Sequence, residues 1–313
     1  MRTRRLQNKL AQNRFSLPFV IVYATLLWLS LGLVEQRLWV PFGILAVSTY
    51  LMVEINNKHT LIRVYGRMVS CSFLVLNTLA CESLTQTEPL IVQLCVIAFL
   101  TSMLPCYQNK HSMGMTCIGF CFIGIASLFF VQILFFLPVL WLLMAINLLN
   151  FSGKVFWASI IGTAIPYWFT TTYLILSNQP AFIINHFERL ADFSPLFQYQ
   201  DVTLHQTLTL GFIALLSIIG AIHFVRTSYN DKIRVRMIYE MLISLNFYTL
   251  GFLLLQPQHY DYLIRLLIIS TSPLIAHFLS LTYTRITNIA FYVICATAFI
   301  MAVFNLWMPS LTF

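Results

Sequence analysis

The stretch Ser270-Thr271-Ser272-Pro273-Leu274-Ile275-Ala276-His277 interrupts an otherwise apolar run, from about Tyr262 to Tyr283, with hydroxyls, a proline and an imidazole. In hydrocarbon such groups are costly, so they are expected to face protein or water. At helical spacing Ser270, Pro273, His277, Ser280 and Thr284 share one side. A histidine there can relay protons, bind a metal or hold a substrate. The alternative is a single interhelical hydrogen bond.

Two other apolar runs carry polar faces. Ser159, Thr163, Pro166 and Thr170 align, and Pro166 predicts a second kink. Glu240, Ser244, Phe247 and Gly251 align in another run, with Glu240 near its start. Two proline-kinked helices with hydroxyl stripes could line one cavity. Equally, Ser and Thr can join helices and satisfy the carbonyls that proline frees. Gly114, Cys117, Cys121 and Gly124 form a small-residue face, which predicts close helix approach.

Cations gather in short segments between the apolar runs. Arg63 and Arg67 stand in one, and Arg226, Lys232, Arg234 and Arg236 in another. These six could hold an anionic lipid headgroup, or could serve orientation alone. Of the ten acids, Glu35, Glu82, Glu88, Glu188, Asp192, Asp201 and Asp261 fall on the opposite side. An acid there could act as a base in glycosyl transfer from a polyprenyl-linked donor; Glu35, after the first run, is placed for it. The seven cysteines lack a C-x-x-C pair, and no Cys/His metal spacing exists. No metal or cofactor is expected.

The elements that position these groups follow from composition. Of 313 residues, 59% are hydrophobic and 9% charged, with a mean hydropathy of +0.82. Soluble domains carry roughly 25% charged residues, so lipid must be much of the solvent. The pI near 9.2 is not accompanied by a basic–aromatic patch, which argues against nucleic acid.

At about 20 residues per span, eleven helices are predicted, over 16–34, 38–55, 68–84, 89–107, 113–130, 132–150, 155–177, 207–225, 237–255, 262–283 and 287–307. The division of 114–152 is either two spans with a turn near Phe130 or a re-entrant pair. With the N-terminus inside, fifteen of the eighteen Lys and Arg residues fall on the cytoplasmic side, leaving Arg37, Arg189 and Arg265 outside. The expected organisation is a basic cytoplasmic segment over 1–15, one transmembrane domain over 16–307, and a short outer tail over 308–313. The outer segment 178–206 reads as an amphipathic helix on the interface, or a lid.

Asn56-Asn57-Lys58 with Leu61-Ile62-Arg63, Phe136-Leu137-Pro138-Val139-Leu140-Trp141, Gly162 to Trp168, and Ser272 to His277 are spread over most of the chain. On these segments it resembles an uncharacterised family of multi-spanning inner-membrane proteins of Bacteroidota. Members are sometimes labelled beta-carotene-cleaving oxygenases; no ordered set of iron-binding histidines is matched here residue by residue. The resemblance implies the cytoplasmic (inner) membrane of a Gram-negative cell envelope.

The fold expected is all-α, a polytopic transmembrane helix bundle with the N-terminus cytoplasmic and the C-terminus periplasmic. The first functional reading is envelope biogenesis. The chain would handle a lipid-linked or amphipathic substrate, or serve such machinery as a membrane subunit beside a protein partner. A second is a transporter gated by the runs around Pro166 and Pro273. A third is a membrane enzyme for glycosyl transfer or metal-dependent oxidation.

Overall fold

The computed structural model describes residues 5–178, 181–193, 195 and 202–307. Arg2, Arg4, Ser194, Leu196, Phe197, Asp201 and the tail 308–313 lie outside the described residues. Every regular element among those described is helical: α1 (Leu6–Gln12), α2 (Ser16–Ser30), α3 (Trp39–His59), α4 (Met68–Leu79), α5 (Cys81–Leu84), α6 (Thr87–Met103), α7 (Met113–Phe129), α8 (Leu137–Ile146), α9 (Gly153–Leu176), α10 (Ala181–Glu188), α11 (Leu204–Thr227), α12 (Ile233–Leu255), α13 (Tyr260–Leu281) and α14 (Arg285–Trp307).

Each of the eleven predicted segments holds a helix, and two are irregular. The segment 68–84 breaks at Ala80 into α4 and α5, and a 3-10 stretch, Val131–Phe136, leads into α8 after a turn at Phe130. Among the described residues six helices are long and apolar enough to cross a membrane: α3, α6, α11, α12, α13 and α14, some with their 3-10 extensions. The helices α2, α4, α7 and α8 are apolar but shorter. In α9 the run Pro166-Tyr167-Trp168 and Thr170-Thr171-Thr172 dilutes the apolar character.

The centre is α13, buried at every position but the half-buried Asp261, Tyr262 and Phe278, against α11, α4, α12 and α6. A polar stripe is therefore enclosed by protein on every side. Lipid tails are as apolar as leucine, so helix association here rests on packing and hydrogen bonds rather than on water. Glycines supply the closest approaches. A Cβ at Gly220 of α11 would stand 2.7 Å from the Leu274 carbonyl carbon, and one at Gly124 of α7 2.5 Å from the Thr163 oxygen of α9. Gly162 of α9 meets the backbone of Cys117 in the same way. The small-residue face of α7 thus packs on α9, while Gly114 stands in open space.

The connections gather at two ends. At the basic end, Arg63 reaches Asn230, Arg234 reaches Leu104, and Gln7 of α1 reaches Leu279 and Thr282. At the other, Gln86 meets Asp261, Tyr262 meets Glu88 and Gln258 meets Asp192. The docking of α1 has a local cause. The last carbonyls of a helix lack intrahelical partners, and the amides of Gln7 and Asn8 donate to Leu279 and Thr282 at the end of α13.

Candidate functional site

The site is built on the proline of α13. Pro273 has no N–H to give the Ile269 carbonyl, and the Ser272 hydroxyl donates to that oxygen instead, at 3.2 Å. The helix continues, and Gly220 lets α11 close onto Leu274. One turn further along each helix stand His223 and His277, which are thereby brought face to face. Their Nδ1 atoms are 3.4 Å apart. On its other side His277 Nε2 lies 3.1 Å from Asp231 Oδ2. Asp231 belongs to the connection between α11 and α12, just after the 3-10 turn Ser228–Asn230. The His277 side chain is 0% exposed and that of Asp231 3%. The rings of Tyr239 and Phe224 pack edge-on against His277.

These distances fix a directional chain. An ionised carboxylate only accepts, so His277 Nε2–H donates to Asp231. Its Nδ1 is then an acceptor for His223 Nδ1–H. Arg63 closes the far side: its Nε is 3.9 Å from Asp231 Oδ1 and its Nη1 donates to the Asn230 carbonyl.

Beside this chain is a polar cavity of about 570 Å³, lined by Asn56, Asn57, Thr60, Arg63, Tyr65, Asn230, Asp231 and Lys232, among others. Thr60 ends α3 in the left-handed conformation, at φ 47°. Strained backbone of that kind gathers at functional sites. A second cavity, about 500 Å³ and largely apolar, runs between α2, α3 and α4. Trp28, Phe42 and Leu45 line its shaft, and Glu54, Asn57 and Arg67 carry its polar groups. Asn57 borders both cavities.

The predicted site residues separate into groups. Ser270 is buried and accepts from Asn246 at 2.9 Å, as Thr271 does at 2.8 Å. Ser280 is buried with no partner for its hydroxyl. The α9 face turns elsewhere: Ser159 accepts from Trp141 Nε1, Thr163 and Thr170 donate to carbonyls of their own helix, and Pro166 packs at Gly124. That helix packs chiefly on α7, and α13 on α11, α4 and α12. Glu240 is exposed and accepts from Asn147 at 3.5 Å. Among the cations, Arg63 and Lys232 line the polar cavity and Arg67 the apolar one, while Arg226 and Arg236 line neither. Arg234 turns to the Leu104 carbonyl and His59 Nδ1, both at 3.2 Å.

His111 is exposed and His59 is engaged with Arg234, so neither joins the pair on α11 and α13. Among the described residues no group of three or more His, Cys, Asp or Glu is arranged to hold a metal ion.

A second polar cluster lies toward the other end. Arg265 of α13 is fully buried, and its Nη1 donates to Asn77 Oδ1 at 2.6 Å. Its Nη2 donates to the Ala80 carbonyl at 2.9 Å and to Ser83 Oγ at 2.6 Å. There α10 rests on Tyr167 through His186 and Phe187, with its apolar Phe182 and Ile184 exposed. Partial burial of His186, which lies outside the spans, lowers its imidazole pKa below the ordinary value. The acids Glu35 and Asp192 are exposed.

Two functional groups escaped sequence reasoning. Asp231 stands in a polar loop, where an acid looks merely solvated; the available signal was an intramembrane histidine in need of a partner. Arg265 sits near a span end and reads as a loop cation. Comparison with family models, with curated proteins and with solved structures gives no match to this chain.

Proposed function

We propose that this chain is a multi-pass protein of the bacterial inner membrane, with eleven spans, its basic end in the cytoplasm and its C-terminus in the periplasm. Its role is in envelope biogenesis, where it binds the anionic headgroup of a lipid-linked or amphipathic substrate. The observation that carries this reading is the pair of cavities meeting at Asn57, one polar with Arg63 and Lys232, the other apolar with Arg67. An anionic head fits the first and a hydrocarbon chain the second. The head would lie where basic residues meet the lipid interface, and a guanidinium matches phosphate oxygens in a forked geometry.

The test is the lipid carried by the purified protein. Mass spectrometry of the detergent-extracted chain is expected to find anionic lipid enriched over zwitterionic lipid. The double variant Arg63→Ala, Lys232→Ala should lower that enrichment about a hundredfold, since each of the two charge-assisted hydrogen bonds contributes ~1.5 kcal/mol or more. Equal retention of both lipid classes by the wild type would sink the reading.

A further inference from the structure

We propose that the Asp231–His277–His223 chain takes up one proton when an anion occupies the polar cavity, so that headgroup binding and protonation are linked through Arg63. This rests on the headgroup reading above and adds a proton to it.

Arg63 is the shared element. It lines the cavity, its side chain is 41% exposed, and it stands at a loose 3.9 Å from Asp231. A bound phosphate offers that guanidinium a closer, forked partner. Asp231, with a side chain 3% exposed, then loses its arginine while remaining buried. A buried carboxylate without a cation is costly. The group in direct contact with it that can become a cation is His277.

In the resting chain His223 Nδ1–H donates to His277 Nδ1, and His277 Nε2–H to Asp231. One proton from water arrives at Nε2 of His223, the half-buried member. His223 passes its Nδ1 proton across the 3.4 Å contact. His277 becomes an imidazolium donating to Asp231 and to His223, whose Nδ1 is now the acceptor. The net change is one proton gained and one positive charge beside Asp231.

On α12, Arg234 is turned to His59 and Leu104, Glu240 accepts from Asn147 and Arg236 is half-buried; on α11, Arg226 is exposed. Tyr239 of α12 places its ring on His277 and donates its hydroxyl to the Pro273 carbonyl. Phe224 of α11 and Phe278 of α13 are uncharged. The helix α4 carries no charged residue, and the sole acid of α6, Glu88, is bonded to Tyr262 at the opposite end. Gln7 and Asn8, the α1 side chains that bond α13, are neutral. Asp231 is the charge in contact with the imidazoles, Arg63 stands behind it, and Lys232 lines the cavity alongside.

Linkage is reciprocal: if the anion favours protonation, protons favour the anion. Affinity should fall as pH rises through the pKa of the occupied chain, by up to about tenfold per pH unit for one coupled proton. The probe is dihexanoyl-phosphatidylglycerol, a phosphodiester that stays singly charged across neutral pH, with inorganic phosphate as the tailless comparison. Calorimetric titration of the full chain in detergent, in two buffers of different ionisation enthalpy, counts the protons taken up per ligand. The wild type is expected to take up a measurable fraction of a proton, approaching one, with the lipid bound more tightly than phosphate. His277→Gln should take up none, at whatever affinity remains, and Lys232→Ala should bind more weakly yet still take up a proton. Binding with no uptake at any pH overturns the linkage and leaves the headgroup reading standing. Uptake that persists in His277→Gln overturns the assignment to this chain. Absence of binding overturns both. The wild-type count decides first, whether or not a variant folds.

Discussion

The guanidinium of Arg265 holds a broken helix together. Where α4 stops at Ala80, its last carbonyls lose their intrahelical partners. Arg265 takes Asn77 and Ala80, Cys81 Sγ donates to Thr78, and Asn305 Nδ2 donates to Leu79. The carbonyls of Asn77, Thr78, Leu79 and Ala80 thus have partners, and a cation stands at the negative end of the helix dipole. Arg265→Leu leaves two of these oxygens, those of Asn77 and Ala80, bare at ~1–3 kcal/mol each. The expected loss is about 3 kcal/mol or more in unfolding from detergent, with Arg265→Lys intermediate because an ammonium lacks the fork. An unchanged unfolding midpoint in Arg265→Leu would remove the capping role. At this scale the sequence was legible where cost was visible: His277 stands out inside an apolar run. Asp231 did not, because a charge in a short loop looks the same whether it faces water or folds inward. Arg265 did not either, because counting charges along a chain gives depth in the membrane but no radial position.

Glycine contacts set the geometry between elements. Gly220 is one turn from His223, and Leu274 one turn from His277, so the backbone approach of α11 to α13 also sets the imidazole contact. In Gly220→Ala the added methyl meets backbone rather than a flexible side chain, and such overpacking costs typically ~1–3 kcal/mol. The variant should unfold earlier, and histidine nuclear resonances of the pair should shift; unchanged resonances would show that the contact does not depend on this crossing. Thr60 makes the opposite prediction. It is a β-branched residue at φ 47°, a conformation that suits glycine at a helix end. Thr60→Gly should stabilise the fold by roughly 1 kcal/mol, read as a higher unfolding temperature. A lower one would mean that its hydroxyl contributes more than its backbone costs. Helix positions were legible from apolar length, and the glycine face of α7 from its spacing. The partner of each face was not, since a small-residue stripe names no neighbour.

For the whole molecule, hydropathy cannot say which helix is central. The central α13 is less hydropathic than α14, of which less than a quarter is buried. In lipid both environments are apolar, so a lipid-facing face and a core face carry the same signal. Polarity enclosed by protein is the better mark of the centre, and α13 carries more of it. The two ends of the bundle are distinguished differently, by charge. Arg63, Lys232 and Arg234 share one end, while Glu88, Asp192 and Asp261 share the other. Loops taken from distant parts of the sequence meet within each set. Under the proposed topology the basic end faces the cytoplasm, where positive charge is retained during insertion. A reporter active only in the periplasm should therefore be silent when inserted after Lys110 and active when fused after Phe313. Activity at both positions would mean that the helices from α7 to α14 cross the membrane an even number of times. The shorter α7 and α8, joined at Phe130, would then be the first pair to reassign as re-entrant, jointly with a change in one further helix.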